Sequence, residues 1–466
     1  MVKRALKIVL FIGFAALFVS CGNKKNLTEE EKALFKEYKS VKLEKDPNTK
    51  KVYDFEGMEI IVADWWSPSD GLDNAEPVNP VDEDTKKFHK FLKVAYNVDI
   101  DTYGIGGWGA HPQTVANFCT TGGDENYVFI IDNRSLTTGM KGNLFYDLSS
   151  ITSIDWSNPK WDKATTDLTT KDGRFYGMRP MASEPRGGVF FNKRLLKESG
   201  IDPETIYDLQ KESKWTWETF EEMLKKTTRD LDNDGAFDTY GMANLSTEFC
   251  YLAAMSNGTS YIGKDSNGKY FNNIGNDKTL EALSWAARMK QAYEKPQPEG
   301  ANWDWMYAAF INGEVAFQVD QQYRVGNIAD MQDDWGFVCF PLGPNGDGKY
   351  ATLAQDNIYV IPACYDKERA EKIAKAFDLY TTEVPGYDDD SSWKEDYYSR
   401  FRDERAVDET LQLMRDNPKP RFDTMIIGIN QVGEVIWNVY GGGQTPQEAY
   451  EATKNHYQGL IDEMNN

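Results

Sequence analysis

The chain has 466 residues, 40% of them hydrophobic and 13% aromatic, and a formal net charge of −22 from 52 basic and 74 acidic side chains. Such a length exceeds one ordinary core and implies two or three domains, and aromatic residues recurring along the whole chain argue against disorder. The acidic balance repels phosphate backbones and argues against nucleic acid as a partner, while the three scattered histidines, His89, His111 and His456, have no metal-ligand spacing.

Lys3, Arg4 and Lys7 precede an apolar stretch from Ile8 to Val19, too short to span a bilayer and of the size of a signal-peptide core. It runs into Phe18-Val19-Ser20-Cys21-Gly22, which resembles a bacterial lipobox with Phe18 where that pattern usually has Leu. Cys21 is therefore expected to become the lipidated first residue of the mature chain, held at the membrane through buried methylenes; an ordinary signal peptide with a chance Cys is the alternative. Residues 22–51, rich in Lys and Glu, are predicted as a partly helical tether, with folding beginning near Val52. The patterns then predict a strand over Met58–Ala63, a helix over Asp84–Tyr96, and strands over Asn97–Thr102 and Tyr127–Ile131. Later strands are expected at Val189–Asn192, Ala316–Val319 and Ile358–Ile361. Later helices are expected at Trp217–Thr228 (capped by Thr216), Glu281–Tyr293, Lys367–Tyr380 and Pro446–Met464. This alternation predicts an α/β fold with a mainly parallel sheet. Cys119, Cys250, Cys339 and Cys364 are too widely spaced for a CxxC site; they read as buried free thiols, although an exported location would permit disulfides.

Five stretches carry a resemblance. They are Gly122-Gly123-Asp124 with Tyr127–Asp132, where Asn126 and Tyr127 replace the usual Pro-Asp; Gly188–Leu196 with Gly200-Ile201, close to "Y-Y-N-K-x-L-F…G"; Trp215–Phe220; Phe310–Phe317; and Gly442–Ala449. In this order, behind a lipobox, they resemble family 1 of the extracellular solute-binding proteins of ABC importers, whose members commonly bind sugars. Phe190, Phe191, Asn192, Trp217 and Gly313 themselves read as core, cap and turn residues rather than pocket residues. The resemblance implies a two-lobed periplasmic-binding-protein-like fold with a hinge and a central ligand cleft. Hinge crossings are expected near 177–187, 341–349 and 417–420. Lobe 1 would then hold 52–180 plus 350–418, and lobe 2 would hold 181–349 plus 419–466. The implied protein is a monomer outside the cytoplasm that binds a carbohydrate, an oligosaccharide rather than a monosaccharide, and delivers it to the importer's permease subunits. Feeding a sensor, or hydrolysing glycosides with paired carboxylates, are the alternative readings.

A sugar presents flat apolar faces and a ring of hydroxyls, which an aromatic platform edged by carboxylates, amides and arginine complements. Candidates sit where strands should end at the cleft: Trp65 and Trp66 after the first strand; Trp108 in a Gly-rich loop after the second, read as lacking the helix that a phosphate cradle needs; and Asp132, Asn133 and Arg134 after the third. Arg186 falls at the hinge. Asp320, Gln321 and Tyr323 follow Ala316–Val319, and Gln355, Asp356 and Asn357 precede another strand. Asp230, Asp232, Asp234 and Asp238, with Gly235, read as D-x-D-x-D-G-x-x-D, the start of a calcium loop whose twelfth position is Gly241 instead of Glu. Structural Ca2+ is the expected cofactor there; a solvated Asp-rich turn is the alternative.

Overall fold

The computed structural model describes residues 27–181, 184–354, 357–387, 391–429 and 432–465, with the side chains of residues 133 and 134 left aside. The signal segment with Cys21, as well as Gln355 and Asp356, lies outside the described residues.

The β-branched run Met58–Asp64 forms β1, which pairs in parallel with β2 (Val98–Gly104) and β3 (Asn126–Ile131) in the order β2-β1-β3; Ile358–Val360 adds an antiparallel edge beside β3. Both faces of this sheet are covered. Val128 and Ile130 point into one apolar cluster with Phe88, Phe91 and Ile373, while Phe129 and Ile131 point into the other with Val115 and Leu136. The helix between β1 and β2, Pro80–Tyr96, begins where Asn79 accepts the Asp82 N–H and Pro80 takes the first turn; Asn97, in the left-handed region, ends it.

The second sheet has the order β7-β4-β6-β5, built from β4 (Gly188–Asn192), β5 (Tyr240–Met242), β6 (Val315–Asp320) and β7 (Trp335–Val338). β4 runs antiparallel to both β6 and β7, and its register sets Gly188 opposite Asp320. A Cβ on Gly188 would lie 2.6 Å from the Val338 carbonyl oxygen, so only glycine permits this approach. The core of this half is aromatic: Trp217, capped into its helix by Thr216, stacks on Trp285 at 4.1 Å, and Phe190 and Phe191 are fully buried.

The chain passes between the sheets in three strands stitched side by side. The Leu353 N–H donates to the Arg186 carbonyl at 3.0 Å, the Thr352 N–H to the Asn417 carbonyl at 3.3 Å, and the Ala354 N–H to the Lys419 carbonyl at 2.8 Å. The second crossing, expected near 341–349, lies just beyond that stretch, at Thr352-Leu353.

The tether contains a helix, Glu29–Glu37, as expected, but packing begins there rather than near Val52: the helix buries Leu34 and sets Phe35 and Tyr38 against Phe91 and Phe88. Two further expectations are corrected. Residues 401–411, assigned by sequence to the first lobe, pack on the second sheet: Asp403 takes Lys193 Nζ at 2.7 Å and the Tyr207 hydroxyl at 2.8 Å, and Phe401 meets Trp335 and Phe337. A helix, Gly107–Thr121, does follow the Gly-rich loop, because burial of His111, Val115 and Cys119 on one face outweighs the poor propensity of its glycines. Of the four thiols, Cys119, Cys250 and Cys339 are buried, whereas Cys364 is exposed. Among the described residues no helix is long and apolar enough to cross a membrane.

Candidate functional site

Parallel pairing brings the carboxyl ends of β1, β2 and β3 to one edge, where ligands of open α/β sheets bind. Asp64, buried at the end of β1, accepts the N–H groups of Trp66 (3.0 Å) and Ser67 (2.8 Å) and the Ser67 hydroxyl (2.6 Å), so it holds the turn that carries the tryptophans. Gly104 ends β2 against the same turn; a Cβ there would lie 2.0 Å from the Ser67 carbonyl oxygen. Trp65 is half-buried, edge-on to Trp66 (4.8 Å) and His111 (5.2 Å), which leaves Trp66 to project with 53% of its surface exposed. Trp108 stands in the first turn of the helix after β2, 56% exposed. Asp132 is buried and accepts the Ser135 N–H at 3.3 Å, a capping role at the helix Asn133–Lys141.

The second sheet carries a separate group of polar and aromatic candidates. Its antiparallel register places the start of β4 beside the end of β6, so Arg186 meets the residues that follow Asp320. Arg186 donates to Gln321 Oε1 at 3.4 Å and to Glu184 at 3.2 Å, and its guanidinium lies 4.8 Å from the centre of the Tyr323 ring. Gln321 in turn donates to Glu248 Oε1 at 3.1 Å. Arg324 lies over Tyr323 (5.3 Å) and Tyr307 (4.3 Å), donates to the Tyr307 hydroxyl at 2.7 Å and pairs with Asp320 at 3.7 Å. Arg186, Asp320, Gln321 and Tyr323 are therefore brought together as the sequence suggested. At Asn357 the main-chain carbonyl accepts Arg179 at 3.5 Å. The side chains of Asn133 and Arg134, like Asp356, lie outside the described residues.

Sequence reasoning missed Glu248, Tyr307 and Arg324. Glu248 had a legible signal: it is the single charge in Ser246–Ser256, a helix buried nearly all round, and a lone acid in such a helix needs polar partners. A hollow of about 750 Å³ lies elsewhere, lined by Tyr251, Lys278, Asn345 and Arg421, among others, and by none of Trp66, Arg186, Gln321 or Tyr323. There Lys278 donates to the Asn345 carbonyl (2.8 Å) and Arg421 to Asp423 (2.9 Å).

In the Asp-rich turn, carboxylate oxygens of Asp230, Asp232 and Asp238 lie within 4.8 Å of one another. Asp234, expected as a fourth ligand, is not in that group; its Oδ1 takes the Ala236 N–H at 2.7 Å.

Asp320 is 2% exposed, and burial, then the charge of Glu248, pushes its carboxyl up to about 7, against the opposing pull of Arg324, the Gln321 N–H and Tyr307. Its value in the unfolded chain is near 3.8. The folded state thus holds this proton more tightly, and the contribution to stability, full below about pH 4, is lost as pH rises through about 7. Asp320→Asn should therefore gain stability over the parent by about 2–4 kcal/mol between pH 4 and pH 8. Chemical denaturation across that range measures it, and a parent–variant difference independent of pH would contradict the assignment.

Comparison with known proteins gives a consistent picture. Solved structures similar in fold include the ABC substrate-binding protein Lmo0181 from Listeria monocytogenes in complex with cycloalternan (18% identity, TM-score 0.59, covering 88% of this chain and 98% of that one). The cyclic alpha-maltosyl-1,6-maltose binding protein from Arthrobacter globiformis is 14% identical (TM-score 0.62, 87% and 99% covered), and UgpB from Mycobacterium tuberculosis in complex with glycerophosphocholine is also 14% identical (TM-score 0.61, 86% and 98% covered). No curated protein sequence matches the chain. The model of the bacterial extracellular solute-binding proteins matches residues 75–380. With its two sheets joined by three stitched crossings, the chain belongs to that family.

Proposed function

We propose that this protein captures a carbohydrate, an oligosaccharide in particular, in its cleft and delivers it to the permease subunits of an ABC importer. The observation that carries the reading is the pairing of exposed aromatic faces with polar edges on both rims: Trp66 and Trp108 on one, Tyr323 flanked by Arg186, Gln321 and Arg324 on the other. Sugar-binding neighbours support it. The lobes would comprise 52–180 plus 350–400, and 181–349 plus 401–466, with closure bending the stitched strands. No chemical step is assigned to the site; its groups bind and orient.

Stacking a sugar ring on an aromatic face contributes on the order of 1–3 kcal/mol, or roughly 5- to 150-fold in dissociation constant. Titration calorimetry over a glycan panel should identify a ligand, and both Trp66→Ala and Tyr323→Ala should weaken it by about that factor. If both variants fold and bind every active glycan as tightly as the parent, the cleft is misplaced.

Two further parts of the reading concern the periphery. Lipid attachment at Cys21 would hold the protein at the outer face of the membrane; Cys21→Ser should shift it to the soluble fraction or block its processing, and unchanged anchoring and processing would rule the lipid out. Ca2+ bound by Asp230, Asp232 and Asp238 would stabilise the folded state by mass action, about 2.7 kcal/mol at a hundredfold excess over its dissociation constant. Chelator should then lower the melting temperature of the parent and leave Asp232→Ala unaffected; identical melting with and without chelator would leave the turn as a solvated one.

A further inference from the structure

One side chain next to the second rim has no role in the reading so far. Trp303 is 67% exposed, more than Trp66, Trp108 or Trp437, the other exposed tryptophans among the described residues. It precedes a short helix, Trp305–Ile311, whose Met306, Ala309 and Phe310 are buried. The connection before it is braced by a hydrogen bond from Gln297 Nε2 to the Ala301 carbonyl at 3.0 Å. The helix also carries Tyr307, and the Trp303 ring meets Tyr307 edge to face, 84° between planes and 6.4 Å between centres. From there the ribbon runs without a break: Tyr307 to Arg324, Arg324 to Tyr323, Tyr323 to Arg186 at the hinge. An edge contact fixes the plane of a ring while leaving a face open, and an indole left so exposed contributes little to the core.

We infer that Trp303 is a distal stacking platform that extends the cleft beyond Tyr323, so that the site selects chains of three or more linked sugar rings over shorter ones. The inference rests on the carbohydrate reading above. Tyr323, with 42% of its surface exposed beside the Arg186 and Arg324 guanidinium groups, meets the ring common to all ligands; the intervening Arg324 and Tyr307 offer polar edges to the next; Trp303 meets a ring that only a longer chain places there. Because the indole is exposed and the buried face of its helix is formed by other residues, its removal should leave the fold intact, which circular dichroism of the variants checks.

The test is calorimetry with maltodextrins, cellodextrins and xylooligosaccharides graded from one to seven units. For the series that binds, Trp303→Ala should leave mono- and disaccharide dissociation constants within about twofold and raise those of the longer members roughly 5- to 30-fold, with Trp303→Phe restoring most of the loss. Tyr323→Ala should weaken every length. An equal effect of Trp303→Ala at all lengths, or none at any length in a series that Tyr323→Ala weakens, would overturn the platform while sparing the carbohydrate reading. No binding of any series by the parent would overturn both.

Discussion

Three strands crossing between the lobes, joined by main-chain hydrogen bonds at Arg186, Leu353 and Lys419, are the constraint on which the rest depends. A single linker would let the lobes swivel; three strands bonded side by side leave bending as the soft motion. The same stitching fixes where the site can be. Arg186 lies one residue before Gly187 and two before β4, so a main-chain hydrogen bond at the hinge also determines where a guanidinium reaches the cleft. The charge and the platform under it, Tyr323, are aligned by backbone register before any side-chain preference acts.

The two rims are built by different sheet logic. On the first, parallel pairing sends three strand ends to one edge, and small residues let their loops crowd together: Gly104 admits the Ser67 backbone, and Asp64 spends both carboxylate oxygens on the turn. On the second, antiparallel pairing brings the beginning of one strand beside the end of another, so residues more than a hundred positions apart become neighbours. Buried charge accumulates there. Arg324 pairs with Asp320 and Glu248 accepts from Gln321, yet the two acids repel each other, an arrangement whose desolvation cost is hard to explain by stability alone.

Much of the fold was legible in the sequence because it depends on local chemistry. The strand Gly188–Asn192, the Thr216 cap and the long closing helix were visible in short patterns, and family resemblance implied the hinge. Failures came where tertiary packing overrode propensity. Gly106, Gly107, Gly109 and Pro112 argue against a helix, yet one buried face suffices to form it. Residues 401–411 carry no mark of the sheet they join; Asp403 finds Lys193 and Tyr207 only after folding. At the site, single residues at strand ends could be named, but their partners could not, since nothing local links Glu248 to Gln321 or Tyr307 to Arg324.

The docking of Glu29–Glu37 onto the first lobe bears on distance from the bilayer. Thr28 is already fixed by the capping box of that helix, so only seven steps of chain separate it from Cys21. At roughly 3.6 Å per residue such a leash spans at most about 25 Å. A lipid on Cys21 would therefore confine the first lobe to a thin layer beside the membrane rather than let it roam on thirty residues of free chain. Encounter with a transmembrane partner in the same plane would then be governed by local concentration and orientation more than by affinity, with the cargo already close to its exit.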